Sequence, residues 1–397
     1  MTNTIGLGST LDIAAVRARF SSLRTNDFAF LDAPGGSQVP DEVGNAIAEV
    51  LRDSSANMGA FYPASKRVEA IVDKAREEAA RFMGGDADNI IFGPNMTSLN
   101  FMLSRTAGRN FAPGDEIVVT RLDHDANVAP WRELAHDRGL VLRIADVTPD
   151  LRLDMEHLTS LLNERTKVVA FPWASNAVGT IADAQEICRL AHEVGAITWV
   201  DAVHYAAHRS LDARAIGADV LLCSPYKFCG PHLGIAHVEP RVAGAWRPYK
   251  VQPRGLNPLG ARFETGTASY ELLGGLLATF RYLDSLGGFE VLGPYENGLA
   301  RYLLDTLPDD VQMYGPALKH RVPTFLLSVD GVEAASIAEN LAAHNVGVWH
   351  HDHWYAVNLL ERLPYQGETV RIGLLHYNSV EDVDRLTSAL TGVISAR

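Results

Sequence analysis

The sequence predicts an α/β protein with a large domain, in which helices sandwich a mainly parallel sheet, and a smaller α+β C-terminal domain. Strand-like apolar runs alternate with helix-like segments from about residue 67 to residue 240, which is the pattern of βαβ units. After Gly274 the helical stretches become longer. A chain of 397 residues also exceeds the usual size of one core. We therefore predict a large domain at residues 26–274 and a small domain formed by residues 1–25 and 275–397.

The individual elements follow from the spacing of apolar residues. Helical periodicity with polar residues on the outer face predicts helices at residues 68–83, 97–106, 126–138 and 184–193. Shorter apolar runs predict buried strands at residues 89–92, 116–120, 140–145, 168–173, 197–200 and 220–223, and in the C-terminal part near 324–329 and 370–374. Because strands and helices alternate up to residue 240, most of these strands are expected to run parallel.

Composition limits the class of protein and its partners. Apolar residues at 47% and charged residues at 21% describe an ordinary globular chain, and a formal charge of −13 argues against nucleic acid or an anionic membrane as the main partner. Three cysteines do not make a disulfide framework in a chain of this length. No secretory signal pattern or membrane-spanning apolar run is visible. We therefore expect a cytoplasmic protein with no nucleic-acid or membrane partner.

One lysine occupies a position typical of an α/β active site. Lys227 lies in a Gly- and Pro-bounded loop directly after the apolar run that ends at Cys223. Sites form at the carboxyl ends of buried strands, and burial there lowers the pKa of a lysine enough for Schiff-base chemistry. Asp201 ends the preceding strand and would pair with a pyridinium nitrogen. The pair suggests pyridoxal 5'-phosphate (PLP); the alternative is a solvated loop lysine and a helix-capping aspartate.

Further polar residues could supply the other contacts that PLP needs. Residues 93–98 precede a helix and could bind the phosphate through N–H groups, assisted by the hydroxyl of Ser224, although an ordinary N-cap would look the same. His124 follows a strand and could stack on the ring, and Asn176 could donate to its phenolic oxygen. Otherwise these two are a surface-loop histidine and a turn asparagine.

Seven short motifs occur in order from about residue 30 to the C-terminus. They are Leu31-Asp32, residues 122–131, Ser-Asn-x-x-Gly-Thr at 175–180, Asp201-x-x-His204, Ser224-x-x-Lys227, residues 263–267 and Arg-x-Gly-x-x-His-Tyr-Asn at 371–378. Together they resemble the class V aminotransferase superfamily and, more narrowly, its cysteine desulfurase and selenocysteine lyase group.

The resemblance implies PLP fold type I, with a seven-stranded sheet, and assigns roles to individual residues. Lys227 would form the imine with PLP, Asp201 would contact the pyridinium nitrogen, and His124 would stack on the ring and help proton transfer. Arg371 would bind the substrate α-carboxylate through its planar fork, the alternative being a surface ion pair. Thr267 comes from the neighbouring subunit in this family, which implies a homodimer. The remaining cofactor contacts are assigned to Asn95, Met96, Asn176 and Ser224, with Asn176 also near the substrate.

The chain departs from the desulfurase pattern at three places. His204 replaces the usual glutamine against the ring oxygen, and Tyr226 replaces the usual histidine before the lysine and could bind the phosphate. Residues 349–355 lack the catalytic cysteine, and no cysteine follows Cys229. We interpret this segment, which includes His351, as a substrate-recognition loop. No metal site is predicted there, because consecutive ligands point in divergent directions.

These features favour β-elimination, that is, C–S bond cleavage of a cysteine-type or S-substituted cysteine substrate through a Lys227 aldimine. Such a PLP-dependent lyase needs no enzyme thiol. Amino-acid epimerisation or racemisation and transamination are the alternatives, and a PLP-binding regulator is a further class. True desulfuration would require a thiol, for which Cys229 is the candidate.

Overall fold

A computed structural model describes residues 11–251, 257–350, 355–365 and 367–396. The strands are β1 (Ala29–Phe30), β2 (Ile90–Gly93), β3 (Glu116–Thr120), β4 (Val141–Ala145), β5 (Thr166–Pro172), β6 (Ile197–Asp201), β7 (Val220–Cys223), β8 (Gly234–Val238), β9 (Val311–Tyr314), β10 (Thr324–Val329), β11 (Val346–Gly347), β12 (Trp349–His350) and β13 (Val370–Gly373). The helices are α1 (Ile13–Arg17), α2 (Ser21–Thr25), α3 (Asp41–Asp53), α4 (Pro63–Met83), α5 (Met96–Gly108), α6 (Ala129–Arg138), α7 (Met155–Leu161), α8 (Ala184–Glu193), α9 (Ala213–Ile216), α10 (Pro240–Ala243), α11 (Tyr270–Ser285), α12 (Gly288–Thr306), α13 (Ala334–Ala343), α14 (Val357–Leu360) and α15 (Val380–Ser395). Single turns of 3-10 helix lie at Ala87–Asn89, Asp125–Asn127, Tyr205–Ala207, Pro225–Lys227, Gly260–Phe263 and Leu318–His320.

The main sheet has seven strands in the order β2-β8-β7-β6-β5-β3-β4. The five strands from β3 to β7 pair in parallel, whereas β8 is antiparallel to both of its neighbours. The predicted α/β class with a mainly parallel sheet, and the seven strands implied by the resemblance, are therefore confirmed. Strand β8 was not predicted, because its short Gly-Ile-Ala-His-Val run follows the lysine loop with no helix between them.

Most predicted elements lie where expected, with differences at their ends. Helix α4 begins at Pro63 rather than residue 68, because proline fits the first helical position, where no N–H is needed. The predicted helix at 126–138 is divided into a 3-10 turn at Asp125–Asn127 and α6. Pro130 in the first turn of α6 explains the break, since proline cannot continue a helix from the preceding residues.

The C-terminal part contains a second, antiparallel sheet in the order β12-β13-β10-β9. Helices α12, α13 and α15 pack together with its apolar residues in a separate core cluster, and β11 pairs in parallel with β1. The predicted domain boundary at residues 274 and 275 falls inside α11, which packs against α3 and α4. The division of the chain into two domains stays a prediction.

A fully buried carboxylate joins segments from both parts of the chain. Glu296 on α12 accepts a hydrogen bond from the backbone N–H of His376 (3.1 Å), and its second oxygen lies 2.8 Å from Nδ1 of His208. Nε2 of His376 in turn lies 2.8 Å from the hydroxyl of Tyr282. Burial alone would raise the pKa of Glu296, but the two histidines hold it below its usual value. This Glu296 cluster therefore ties the segment after β6 to the turn after β13.

Replacing Glu296 with leucine is expected to lower the free energy of unfolding by about 3 kcal/mol, because the buried donors of His376 and His208 lose their acceptor. Glu296→Gln keeps a side-chain oxygen for the His376 N–H and should lose less. Urea denaturation measures both. Glu77→Leu, at an exposed helix position, is the control and should change stability by less than about 0.5 kcal/mol. Equal stability of Glu296→Leu and the parent would show that the cluster contributes nothing.

Candidate active site

Most of the predicted site residues meet at the carboxyl ends of the parallel strands, where α/β sheets place their sites. Asp201 is the last residue of β6, the Ser224–Lys227 segment follows β7, and His124 follows β3. A cavity of about 560 Å3, here called the inner cavity, lies between them. Its walls include nine predicted residues: Asn95, Met96, His124, Asn176, Asp201, His204, Ser224, Tyr226 and Lys227.

A second, larger cavity of about 1360 Å3, the outer cavity, adjoins the first and shares Lys227 and His124 with it. Arg371 lines the outer cavity, together with Trp349, His350 and Tyr355. Two predicted residues lie elsewhere. Thr267 lines a separate pocket with Gly93 and Pro94, and His351 lies outside the described residues.

Lys227 is buried, with 8% of its surface exposed. Its ammonium group donates to the carbonyl oxygen of Pro34 and lies 4.7 Å from the centre of the Tyr226 ring. Burial, assisted by the charge of Arg371 and partly offset by Asp201 and Asp32, lowers the pKa of Lys227 to about 7. A large fraction of this amine is therefore neutral and nucleophilic near neutral pH.

Asp201 is held in one orientation by the backbone. Its carboxylate accepts a hydrogen bond from the N–H of Val203 (2.8 Å). Burial raises the pKa of Asp201 to about 6, against the effects of this hydrogen bond and of Lys227. The group is still mostly ionised at neutral pH, as a partner of a protonated ring nitrogen must be.

His124 is a neutral ring at physiological pH. Burial, with smaller effects of Lys227 and Arg371, lowers its pKa to about 3. Nδ1 accepts a hydrogen bond from the N–H of Ala126 (3.0 Å), so the neutral ring carries its proton on Nε2. The ring stacks on Tyr355, with centroids 4.9 Å apart and planes inclined by 9°.

The start of α5 forms one end of the inner cavity. The side chain of Asn95 caps the helix by accepting from the N–H of Ser98 (2.7 Å), and the hydroxyl of Ser224 accepts from the N–H of Met96 (3.1 Å). Gly234 on β8 permits this arrangement, because a Cβ there would lie 2.4 Å from the carbonyl carbon of Asn95. A helix N-terminus at this place favours an anionic group such as a phosphate.

Two buried polar atoms of the cavity wall have no hydrogen-bond partner within the protein: Oδ1 of Asn176 and Nδ1 of His204. The other ring nitrogen of His204 lies 2.7 Å from the hydroxyl of Thr324. Burial holds the pKa of His204 well below its usual value, so its ring is neutral. Unsatisfied buried polar atoms are costly unless a ligand completes them. Together with the amine, the carboxylate and the helix start, they fit PLP.

Arg371 lies on β13 with 4% of its surface exposed. One terminal nitrogen donates to the backbone oxygen of Asn176 (2.9 Å). Burial lowers the pKa of Arg371 to about 10, which leaves the guanidinium charged at neutral pH. A buried guanidinium facing a cavity is suited to bind a carboxylate.

The three cysteines of the chain are free and buried. Cys229 is fully buried, burial raises the pKa of its thiol, and its sulfur lies 4.0 Å from Nε2 of His376. Cys229 therefore faces the Glu296 cluster and is not among the residues that line either cavity.

Sequence reasoning missed the acid Asp32 as a site residue. Burial raises the pKa of Asp32 to about 6, while the charges of Lys227 and Arg371 act to lower it. Asp32 therefore lies close enough to both cations to interact with them. One of its oxygens is buried without a hydrogen-bond partner. The Leu31-Asp32 motif was a signal for it. Its proximity to Arg371 depends on a bridge between Asp32 and Gly373, which the sequence pattern does not reveal.

Within the described ranges no group of three or more His, Cys, Asp or Glu side chains is arranged to hold a metal ion. The same residues contain no helix with the length and apolar character that a bilayer span requires.

Comparisons with known proteins agree with this geometry. Residues 29–386 match the family model described as aminotransferase class V. The probable cysteine desulfurase 2 of Mycobacterium leprae is 33% identical, over 98% of this chain and 97% of that protein. The aminotransferase-like protein FGM3 of Gibberella zeae is 31% identical, over 97% and 99%. The apo structure of a cysteine desulfurase from Thermococcus onnurineus covers 97% of this chain and 98% of its own, with a TM-score of 0.91 and 25% identity. PLP is the cofactor of these families.

The rate at which the apoprotein takes up PLP covalently should rise with pH and level off above a midpoint near 7, since only the neutral Lys227 amine attacks an aldehyde and its pKa is about 7. Arg371→Gln should move the midpoint upward, because Arg371 lowers this pKa. Stopped-flow absorbance measures the rate, with butylamine as the reference for an unperturbed amine. A rate that continues to rise up to pH 10.5, the ordinary pKa of a lysine, would show that burial does not lower the pKa of Lys227.

Gly234→Ala is expected to weaken PLP binding roughly tenfold, because the added methyl group displaces the Asn95 backbone at the start of α5. Equilibrium dialysis of the apoprotein measures the dissociation constant, at a temperature where thermal unfolding shows both proteins folded. Gly44→Ala is the matched control, because no atom lies within 4 Å of the added carbon. Unchanged affinity in a folded Gly234→Ala protein would mean that the close contact between Gly234 and the Asn95 backbone is not needed for binding of the PLP phosphate.

Proposed function

Because the chain belongs to the aminotransferase class V family, we propose that it is a PLP-dependent lyase that cleaves the C–S bond of a cysteine-type or S-substituted cysteine substrate by β-elimination. The observation that carries the proposal is the combination of a buried amine, Lys227, whose pKa is near neutral, with three buried cysteines of which none lines either cavity. A desulfurase transfers sulfur from its substrate to an enzyme thiol, and neither cavity is lined by a cysteine that could receive it. Besides PLP, elimination requires only a base and a group that binds the substrate carboxylate.

Five residues and the start of α5 are proposed to hold PLP and the substrate. Lys227 would attach the cofactor, Asp201 would contact its ring nitrogen, and the start of α5 with Ser224 would bind its phosphate. Neutral His124 would stack on the ring. Arg371 would bind the α-carboxylate of the substrate through charge-assisted hydrogen bonds. When bound, PLP supplies the acceptor for the electron pair left at Cα.

Lys227 Nζ is proposed to take the Cα proton, for which a pKa near 7 is well matched to neutral pH. Loss of this proton and cleavage of the Cβ–S bond form a Cα=Cβ double bond, and the sulfur leaves as a thiolate. The thiolate takes a proton from Lys227 or from water. The aminoacrylate that is released reacts with water to give pyruvate and ammonia, so that atoms and charge balance.

We also propose a cytoplasmic homodimer in which Thr267 completes the site of the neighbouring subunit. The supporting observation is that Thr267 lines a pocket separate from both cavities of its own chain, beside Gly93 and Pro94. Buried, unpaired cysteines are in keeping with a reducing compartment.

The holoenzyme, given S-substituted cysteines, should release thiol, pyruvate and ammonia in equal amounts. Lys227→Ala should lower this rate by at least about 100-fold, and Arg371→Gln should raise KM roughly tenfold, because a charge-assisted hydrogen bond is lost. Cys229→Ala is the control and should retain the parent rate, since that buried residue lines neither cavity.

Three results would contradict β-elimination. Deuterium exchange at Cα without thiol release would indicate an epimerase or racemase. Formation of a keto acid that retains sulfur would indicate a transaminase. Sulfur transfer that stops in Cys229→Ala would indicate a desulfurase.

A further inference from the structure

The residue opposite the carboxylate anchor is a tryptophan. In the antiparallel pair of β12 and β13, Trp349 lies directly across from Arg371. Residues opposite each other in such a pair project from the same face of the sheet at close range. Both line the outer cavity. A substrate held by its carboxylate at Arg371 would therefore bring its remaining atoms beside the indole.

The position of the Trp349 indole depends on a glycine. A Cβ on Gly35 would lie 2.2 Å from the indole nitrogen of Trp349. The indole thus packs against the backbone at Gly35, and any side chain there would push it away. Although Trp349 packs in this way, 43% of its surface is exposed.

A second aromatic ring, that of Tyr355, packs against a residue that both cavities share. Tyr355 stacks on His124, and His124 lines both cavities. Tyr355 has 47% of its surface exposed and lines the outer cavity with Trp349. Large aromatic surfaces that remain exposed at a cavity wall are typical of ligand contacts.

The size and charge of the outer cavity narrow the class of ligand. The outer cavity is larger than the inner cavity and is open to solvent, so it leaves room for a substituent beyond the thiol of cysteine. Its described lining contains no Asp or Glu to pair with a cationic substituent. Because Lys227 and Arg371 both line it, a cationic substituent is disfavoured, and the exposed rings of Trp349 and Tyr355 favour an aromatic one.

We propose that the outer cavity binds an aromatic S-substituent, so that the preferred substrates are S-aryl or S-arylmethyl conjugates of cysteine, with the ring between Trp349 and Tyr355. The inference rests on the proposed C–S lyase function and specifies its substrate class. Arg371 binds the carboxylate, Lys227 takes the Cα proton, and the aromatic thiol leaves into the outer cavity.

The test compares three ligands of the holoenzyme: S-benzylcysteine, S-cyclohexylmethylcysteine, which has a similar size without aromaticity, and S-methylcysteine. Affinity is measured from the rapid change in cofactor absorbance on mixing, and product formation is measured separately as pyruvate. S-benzylcysteine should bind at least about tenfold more tightly than S-methylcysteine, through burial and stacking of its ring. It should bind about threefold more tightly than the cyclohexyl analogue, which cannot stack.

Trp349→Leu and Tyr355→Leu should each reduce the preference for S-benzylcysteine over S-methylcysteine by about three- to tenfold, a ratio in which any loss of affinity common to both ligands cancels. Tyr249→Leu is the matched control, because Tyr249 is also 47% exposed but lines neither cavity. Its ligand preference should equal that of the parent.

Equal affinity for all three ligands, or for the benzyl and cyclohexyl analogues, would overturn the aromatic assignment. So would an unchanged preference in both Trp349→Leu and Tyr355→Leu. Failure of the lyase function is distinguishable: the benzyl preference would persist in binding, but no ligand would yield pyruvate. Efficient pyruvate release from S-methylcysteine without a benzyl preference would leave the function standing and refute the substrate class.

Discussion

Burial of the Lys227 amine beside a second cation is the constraint on which the site depends. Removing a lysine from water disfavours its charged form, and Arg371 disfavours it further, so the pKa falls to about 7. Two acids, Asp201 and Asp32, offset part of this effect, and their own pKa values are raised to about 6 by burial. The result is a set of groups that titrate near neutral pH, which is suited to proton transfer.

The architecture brings these groups together from distant parts of the chain. Parallel strands place Asp201 and the Lys227 loop at one edge of the main sheet, whereas Arg371 arrives on a strand of the second sheet. The Glu296 cluster joins the segment after β6 to the turn after β13. A buried carboxylate with complete hydrogen bonds is a stable connection only if each partner is present, and this links the integrity of the core to the position of β13, which carries Arg371.

The chain combines the fold of its family with its own set of residues in the outer cavity. Its relatives include proteins named as cysteine desulfurases, yet here the cysteines are buried in the interior and aromatic rings line the outer cavity. A fold supports several reactions when the residues around a common cofactor site change. In the proposed function, the inner cavity would bind PLP and so supply the reaction type. Trp349 and Tyr355 would select the substrate by its S-substituent.

The sequence by itself determined the α/β class and most strands of the main sheet, and its local patterns together with the family resemblance indicated nine of the residues that line the inner cavity, from Asn95 to Lys227. Periodicity and the position of a polar residue after an apolar run are local properties of the chain, so they can be read without a structure. Contacts between distant residues were decided by the tertiary structure: the antiparallel insertion of β8, the approach of Asp32 to Lys227, the burial of Cys229 against His376, and the pairing of Trp349 with Arg371. These depend on strand register and packing between segments, for which the sequence carries no local signal.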